Sequence, residues 1–102
     1  MTGNHLDNVL KDGQKIYCKT KEEVEYFMDI AEAKCLLWSD GREPRYYYDG
    51  FPIIYSIDCT NNNKKILFDI VIDQQKINES IPAIYLRNYA ISVRLKRGDT
   101  HD

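Results

Sequence analysis

Lys15-Ile-Tyr-Cys-Lys-Thr20-Lys-Glu-Glu-Val24, running on through Phe27, Met28, Ala31 and Cys35 to Leu37-Trp38-Ser-Asp-Gly41, is the stretch that decides the fold. Ile16 and Cys18 point one way and Tyr17 and Lys19 the other, the alternation of a half-buried strand. Thr20 has the chemistry of an N-cap, and Glu23 three positions later completes a capping box. Glu22 adds negative charge where the helix dipole is positive, so the helix begins at Lys21. At about 100° per residue, Val24, Phe27, Met28, Ala31 and Cys35 share one face, while Glu22, Glu25, Asp29 and Glu32 share the opposite one. The first stripe is expected to pack and the second to face water. Gly41 marks the exit from Leu36-Leu37-Trp38, and Pro44 prevents helical continuation.

Working outward, 51–72 reads as a hairpin. Ile53, Tyr55, Ile57 and Cys59 lie on one face of its first arm, and Ile66, Phe68, Ile70 and Ile72 on one face of its second. The Asn61-Asn-Asn63-Lys64 tract supplies the turn, because asparagine tolerates left-handed backbone. Cys59 opposite Ile66 would set Ile57 against Phe68 and Tyr55 against Ile70. Residues 74–82 read as a polar loop, and 89–96 as a last strand with Ile91, Val93 and Leu95 inward. The expectation is an α+β fold, with one principal helix packed on a mainly antiparallel sheet of about four strands. Residues 1–13 are expected to be a flexible N-terminal segment, 14–97 a single domain and 98–102 a flexible tail. The expected core holds Ile16, Cys18, Val24, Phe27, Met28, Ala31, Ile57, Phe68, Ile70, Ile91 and Val93.

A chain of 102 residues supports one modest core, and its 43% hydrophobic and 29% charged content is that of an ordinary globular protein. The net charge of −2 gives phosphates no global attraction, so direct nucleic-acid binding is not expected. No apolar run approaches the roughly twenty residues that span a bilayer, and the N-terminus lacks the order of a signal peptide. Three cysteines at wide spacing argue against a disulfide framework and for a reducing compartment, the cytoplasm. Isoleucine, lysine, asparagine and tyrosine make up roughly a third of the chain, the bias of an AT-rich genome.

The block Cys18-Lys-Thr-Lys-Glu-Glu-Val24 with Leu37-Trp-Ser-Asp-Gly41 resembles a group of small phage and prophage proteins of low-GC Gram-positive bacteria. Their shared pattern is a short strand, a Thr-x-Glu-Glu helix start, a Trp-x-x-Gly turn and a sheet. The resemblance covers about the first half of the chain and brings no functional residue with it. It implies a non-enzymatic accessory protein of a mobile element, of a kind that often inhibits host defence, anti-CRISPR proteins included. The implied partner is a protein such as a Cas effector nuclease in the bacterial cytoplasm, bound by a monomer or homodimer.

Two surfaces are candidates for such contact. Trp38, Arg42, Arg45, Tyr46, Tyr47 and Tyr48 offer large contact area at low entropic cost; the alternative is that Trp38 closes the core and the tyrosines cover a sheet edge. Glu22, Glu25, Asp29 and Glu32 could imitate a nucleic-acid backbone, or simply be a solvated helix face. A zinc site made by Cys18, Cys35 and Cys59 with His5 or His101 is a third reading, set against the lack of close ligand spacing. Asp58, Asp69 and Asp73 could hold a hard cation, or keep the outer sheet face soluble. A phage structural component built through exposed strand edges is the remaining alternative. No nucleophile elbow or glycine-rich phosphate loop is present, so no cofactor or catalytic residue is expected.

Overall fold

The computed structural model describes residues 9–47, 50–58 and 65–96. The N-terminal block folds as its spacing predicts. Strand β1 is Lys15–Cys18, with Ile16 and Cys18 fully buried. Helix α1 is Lys21–Ala33, capped by the Thr20 hydroxyl, which accepts from the Glu23 amide at 3.2 Å. The Glu23 carboxylate reaches back to the Lys19 amide at 2.9 Å, one residue beyond the position of a standard capping box. Val24, Phe27, Met28 and Ala31 are buried as expected.

Cys35 is not on that apolar face. The helix stops at Ala33, and Cys35 takes a left-handed conformation (φ 59°). Its amide bonds to the Glu32 carbonyl and the Leu36 amide to the Ala31 carbonyl, the pattern of a Schellman end. This turns the Cys35 side chain out to solvent and drives Leu36 into the core. Strand β2, Leu37–Trp38, follows, then a turn in which Gly41 (φ 89°) bonds to the Trp38 carbonyl. Pro44 does not abolish helical geometry there; it opens a 3-10 turn, Pro44–Tyr46, where its missing amide does no harm.

The sheet has five strands in the order β2-β4-β3-β1-β5, where β3 is Ile53–Asp58, β4 is Lys65–Asp69 and β5 is Ile81–Pro82. Its centre is antiparallel as expected, while the short strands β2 and β5 join β4 and β1 in parallel, so the sheet is mixed rather than purely antiparallel. The hairpin pairs Ile57 with Ile66 and Tyr55 with Phe68, a slip of two residues from the expected register. A two-residue slip keeps every side chain on its face, so the alternation alone could not detect it. It moves Phe68 and Ile70 toward the open end of the sheet, where they are 46% and 61% exposed instead of buried. Cys59, the turn at 61–64, and Asp49 lie outside the described residues.

The second face of the sheet is only partly covered, with Leu67 exposed. Tyr17, Ile54 and Asp69 are in register across β1, β3 and β4, and Ile54 is buried although it stands outside the main core cluster. The expected loop contains helix α2, Gln74–Asn78, capped by Asp73, whose carboxylate accepts from the Lys76 amide at 2.8 Å. Lys76 reaches Asp69 at 2.7 Å and Glu79 reaches Lys15 at 3.7 Å, which carries this segment across the face on its way to β5.

The largest correction is at 89–96. These residues belong to helix α3, Arg87–Lys96, entered through a 3-10 turn at Ala83–Leu86. Leu86, Ala90 and Val93 recur at helical spacing and are buried; Ile91 and Leu95, expected to point inward, are exposed. This helix and its preceding turn lie along α1 and bury Tyr26 and Ile30, a second apolar face. Val9 and Leu10, ahead of Gln14, are also buried, and Lys34 Nζ donates to the Val9 carbonyl at 2.5 Å. Among the described residues no helix is long and apolar enough to cross a membrane.

Candidate interaction surface

An aromatic column runs from the core to the surface at the β2–β4 end of the sheet. Phe27 of α1 stacks on Tyr55 of β3, with ring centroids 4.2 Å apart and planes 5° from parallel. Trp38 lies 6.1 Å from Tyr55 and meets Phe68 and Tyr47 edge-on at 5.7 and 5.4 Å. Tyr47 in turn meets Tyr46 at 4.9 Å, and the Arg42 guanidinium lies over the Tyr46 ring at 4.1 Å. Perpendicular pairs set the positive edge of one ring against the negative face of the next, so the outer rings hold their positions while presenting apolar area.

The column separates the candidates by depth. Trp38 is buried, and its indole N–H donates to the Pro44 carbonyl at 2.9 Å, so it is the footing of the surface rather than its contact face. Tyr46 is 59% exposed, and Tyr47 and Phe68 are exposed in the same column. Tyr48 lies outside the described residues. Sequence reasoning placed Phe68 in the core and so missed it as a surface residue. The Tyr47 hydroxyl donates to the Asp40 carboxylate; that bond holds the Asp40 carboxyl below its usual range and raises the Tyr47 phenol.

The partly exposed Arg45 lays its guanidinium against the acidic stripe of α1. It binds Glu25 at 2.7 Å, Asp29 at 2.5 Å and Glu32 at 3.1 Å. Burial opposes its charge, but the bonds to Glu25 and Glu32 prevail and raise its pKa. Asp29 is 1% exposed, contrary to the expected water-facing stripe, and its second oxygen accepts from Arg94 Nε of α3 at 2.6 Å. The stripe meets water on one side only because α3 and the 3-10 turn at Pro44–Tyr46 cover the rest. Three of its four carboxylates are thus paired internally, and only Glu22 stands clear of that network, on the exposed first turn.

Cys18 and Cys35 are not brought together as ligands. Cys18 is in the core, its thiol directed at the Glu23 carbonyl at 3.7 Å, and burial pushes its pKa strongly up. Cys35 is on the surface, and Cys59, His5 and His101 lie outside the described residues. Among the described residues no three His, Cys, Asp or Glu side chains are grouped as metal ligands. Asp69 and Asp73 are engaged by Lys76 and by the cap of α2, and Asp58 stands opposite Lys65. Brief alkylation of the native protein is expected to label Cys35 and spare Cys18 until denaturant is added, as read by peptide mass mapping. Equal labelling of both would contradict this packing.

Comparison with protein-family models, with curated proteins and with solved structures finds no match. The chemistry of this surface must therefore be read from its own residues. Exposed aromatic side chains on a rigid footing, flanked by an arginine and a carboxylate, have the composition of a protein-contact patch.

Proposed function

We propose that this chain is a non-enzymatic binding protein that acts by stoichiometric contact with another protein through Tyr46, Tyr47, Phe68 and Arg42. The observation that carries the reading is the exposed outer half of the aromatic column, held in place by the buried Trp38. Large exposed rings fixed by their neighbours lose little freedom on binding, which is the property of interface hot spots. The acidic stripe contributes less to this reading than its sequence suggests, because Arg45 and Arg94 already engage three of its four carboxylates.

The finer assignment rests on the resemblance of the first half of the chain to phage and prophage proteins. On that basis the protein is a mobile-element product that inhibits a host defence effector, a CRISPR nuclease being the leading candidate, in the cytoplasm of the bacterial cell. The test is affinity capture from lysate of a low-GC bacterium carrying CRISPR systems, followed by DNA cleavage assays with the purified complex. Replacing Tyr46 and Tyr47 together by alanine is expected to weaken capture by about 30-fold or more, the effect of losing one hot-spot residue. Glu22→Lys is expected to change it less than about two-fold, as for a rim charge. Capture of a nuclease without inhibition at equimolar ratio would remove the inhibitor role, and capture indifferent to the tyrosines would remove the assigned surface.

A further inference from the structure

The hydrogen-bond parity of the sheet leaves an opening at Phe68. The Ile57 amide donates to the Gln14 carbonyl at 3.0 Å and the Ile57 carbonyl accepts from Gly13 at 2.8 Å, so the main chain of Ile57 faces the β1 side. Ile57 and its partner Ile66 are therefore a non-hydrogen-bonded pair, and so, two residues along, are Tyr55 and Phe68. The main-chain groups of Ile66 and Phe68 consequently point away from β3, toward the side where β2 lies. Strand β2 is in register with Lys65 and Ile66 and then stops. Beyond Trp38 the chain closes a turn on the side away from β4, the Trp38 amide donating to the Arg42 carbonyl and the Gly41 amide to the Trp38 carbonyl, both at 2.8 Å. No described residue pairs with the outward N–H and C=O of Phe68.

At this notch lies a cavity of about 350 Å³, lined by Trp38, Ser39, Asp40, Tyr47 and Phe68. Two of its rings stand at 88° and 86° to the third, and a carboxylate closes one side. Aromatic faces near a carboxylate favour a cation, and guanidinium is the side-chain cation that stacks best on rings. The molecule already uses this chemistry next door, where Arg42 covers Tyr46 while pairing with Asp40 at 3.5 Å. Arg42 does not line the cavity, which keeps those walls clear.

We propose that this notch receives an extended, arginine-bearing segment of the protein partner, whose main chain adds to the open edge at Phe68 and whose guanidinium enters between Trp38, Tyr47 and Phe68 toward Asp40. The proposal rests on the protein-binding reading above and specifies its partner: a strand with a basic side chain, added where β2 ends.

The probe is the peptide acetyl-Val-Arg-Val-amide, with acetyl-Val-norleucine-Val-amide as its neutral counterpart. Binding is followed by the Phe68 amide resonance and by the fluorescence of Trp38, the chain's one tryptophan. The arginine peptide is expected to saturate both signals with a millimolar Kd, about five-fold tighter than the norleucine peptide, the scale of one cation–π contact. Asp40→Asn, at an exposed position, should weaken the arginine peptide and leave the norleucine peptide unchanged. Equal affinity of the two peptides, or a Phe68 amide that does not move at about 20 mM peptide, overturns the proposal. So does a Phe68 shift driven by protein concentration alone, which would assign the edge to a second copy of the chain. If partner capture depends on Tyr46 and Tyr47 while the peptides fail, this inference falls and the protein-binding reading stands.

Discussion

Phe27→Ala is expected to lower the melting temperature by about 15 to 30 °C, the shift that a loss of 3–5 kcal/mol produces in a domain of this size. Phe27 is fully buried, and its ring lies flat on Tyr55, which is equally buried at the centre of the sheet. Truncation removes the transfer energy of the ring, leaves a cavity between helix and sheet, and abolishes a stack worth about 0.5–1.5 kcal/mol beyond its area. A chain of this length has about 5–15 kcal/mol of stability in total, so the variant should approach marginality. Thermal unfolding followed by circular dichroism checks it. Loss of only a few degrees would mean that the two rings do not share one core. Tyr55 also contacts Trp38, so the variant is expected to loosen the footing of the exposed tyrosines and weaken partner capture.

Asp29→Ala is expected to cost about 2–4 kcal/mol in chemical denaturation. Asp29 alone in its network is almost fully buried; the side chains of Arg45 and Arg94 keep 38% and 35% exposure. Removing the carboxylate takes this partner from Arg94, while Arg45 keeps Glu25 and Glu32, and both guanidinium groups can partly rehydrate, which holds the loss below that of a wholly buried pair. Glu25→Ala, deleting a carboxylate from the same Arg45 at a more exposed site, is expected to cost no more than about 0.5 kcal/mol. Equal losses at 29 and 25 would show that Asp29 is not a buried connector between α1, α3 and the 3-10 turn at Pro44–Tyr46.

The contrast between those two residues shows what was legible in the sequence. Strand β1, the Thr20 cap and the first face of α1 are local and could be read from spacing. The burial of Asp29 could not, because it depends on Arg45 and Arg94, and 65 residues separate Asp29 from Arg94. The segment at 89–96 satisfied both periods. Alternating Ile91, Val93 and Leu95 argued for a strand, while Leu86, Ala90 and Val93 carried the helical signal that tertiary packing against α1 selected. The hairpin register was misjudged by two because alternation repeats every two residues, and the error hid Phe68 as a surface residue. Tyr46, Tyr47 and Arg42 were legible as an aromatic and basic cluster. Their footing on Trp38 and the stop of β2 beside Phe68 belong to the tertiary structure alone.

The link from Asp29 to Arg94 also bears on how the protein is made. Translation delivers α1 with its carboxylate early, and the cation that binds it from α3 is added 65 residues later. Until then the apolar face carrying Tyr26 and Ile30 lacks α3, and β1 lacks its parallel neighbour β5. The core cannot close progressively behind the ribosome. A nascent chain that has passed the hairpin but not Arg87 remains an open sheet and a half-covered helix, a form in which exposed apolar surface invites chaperones and proteases. Helix α3 is thus the element that ends this vulnerable interval.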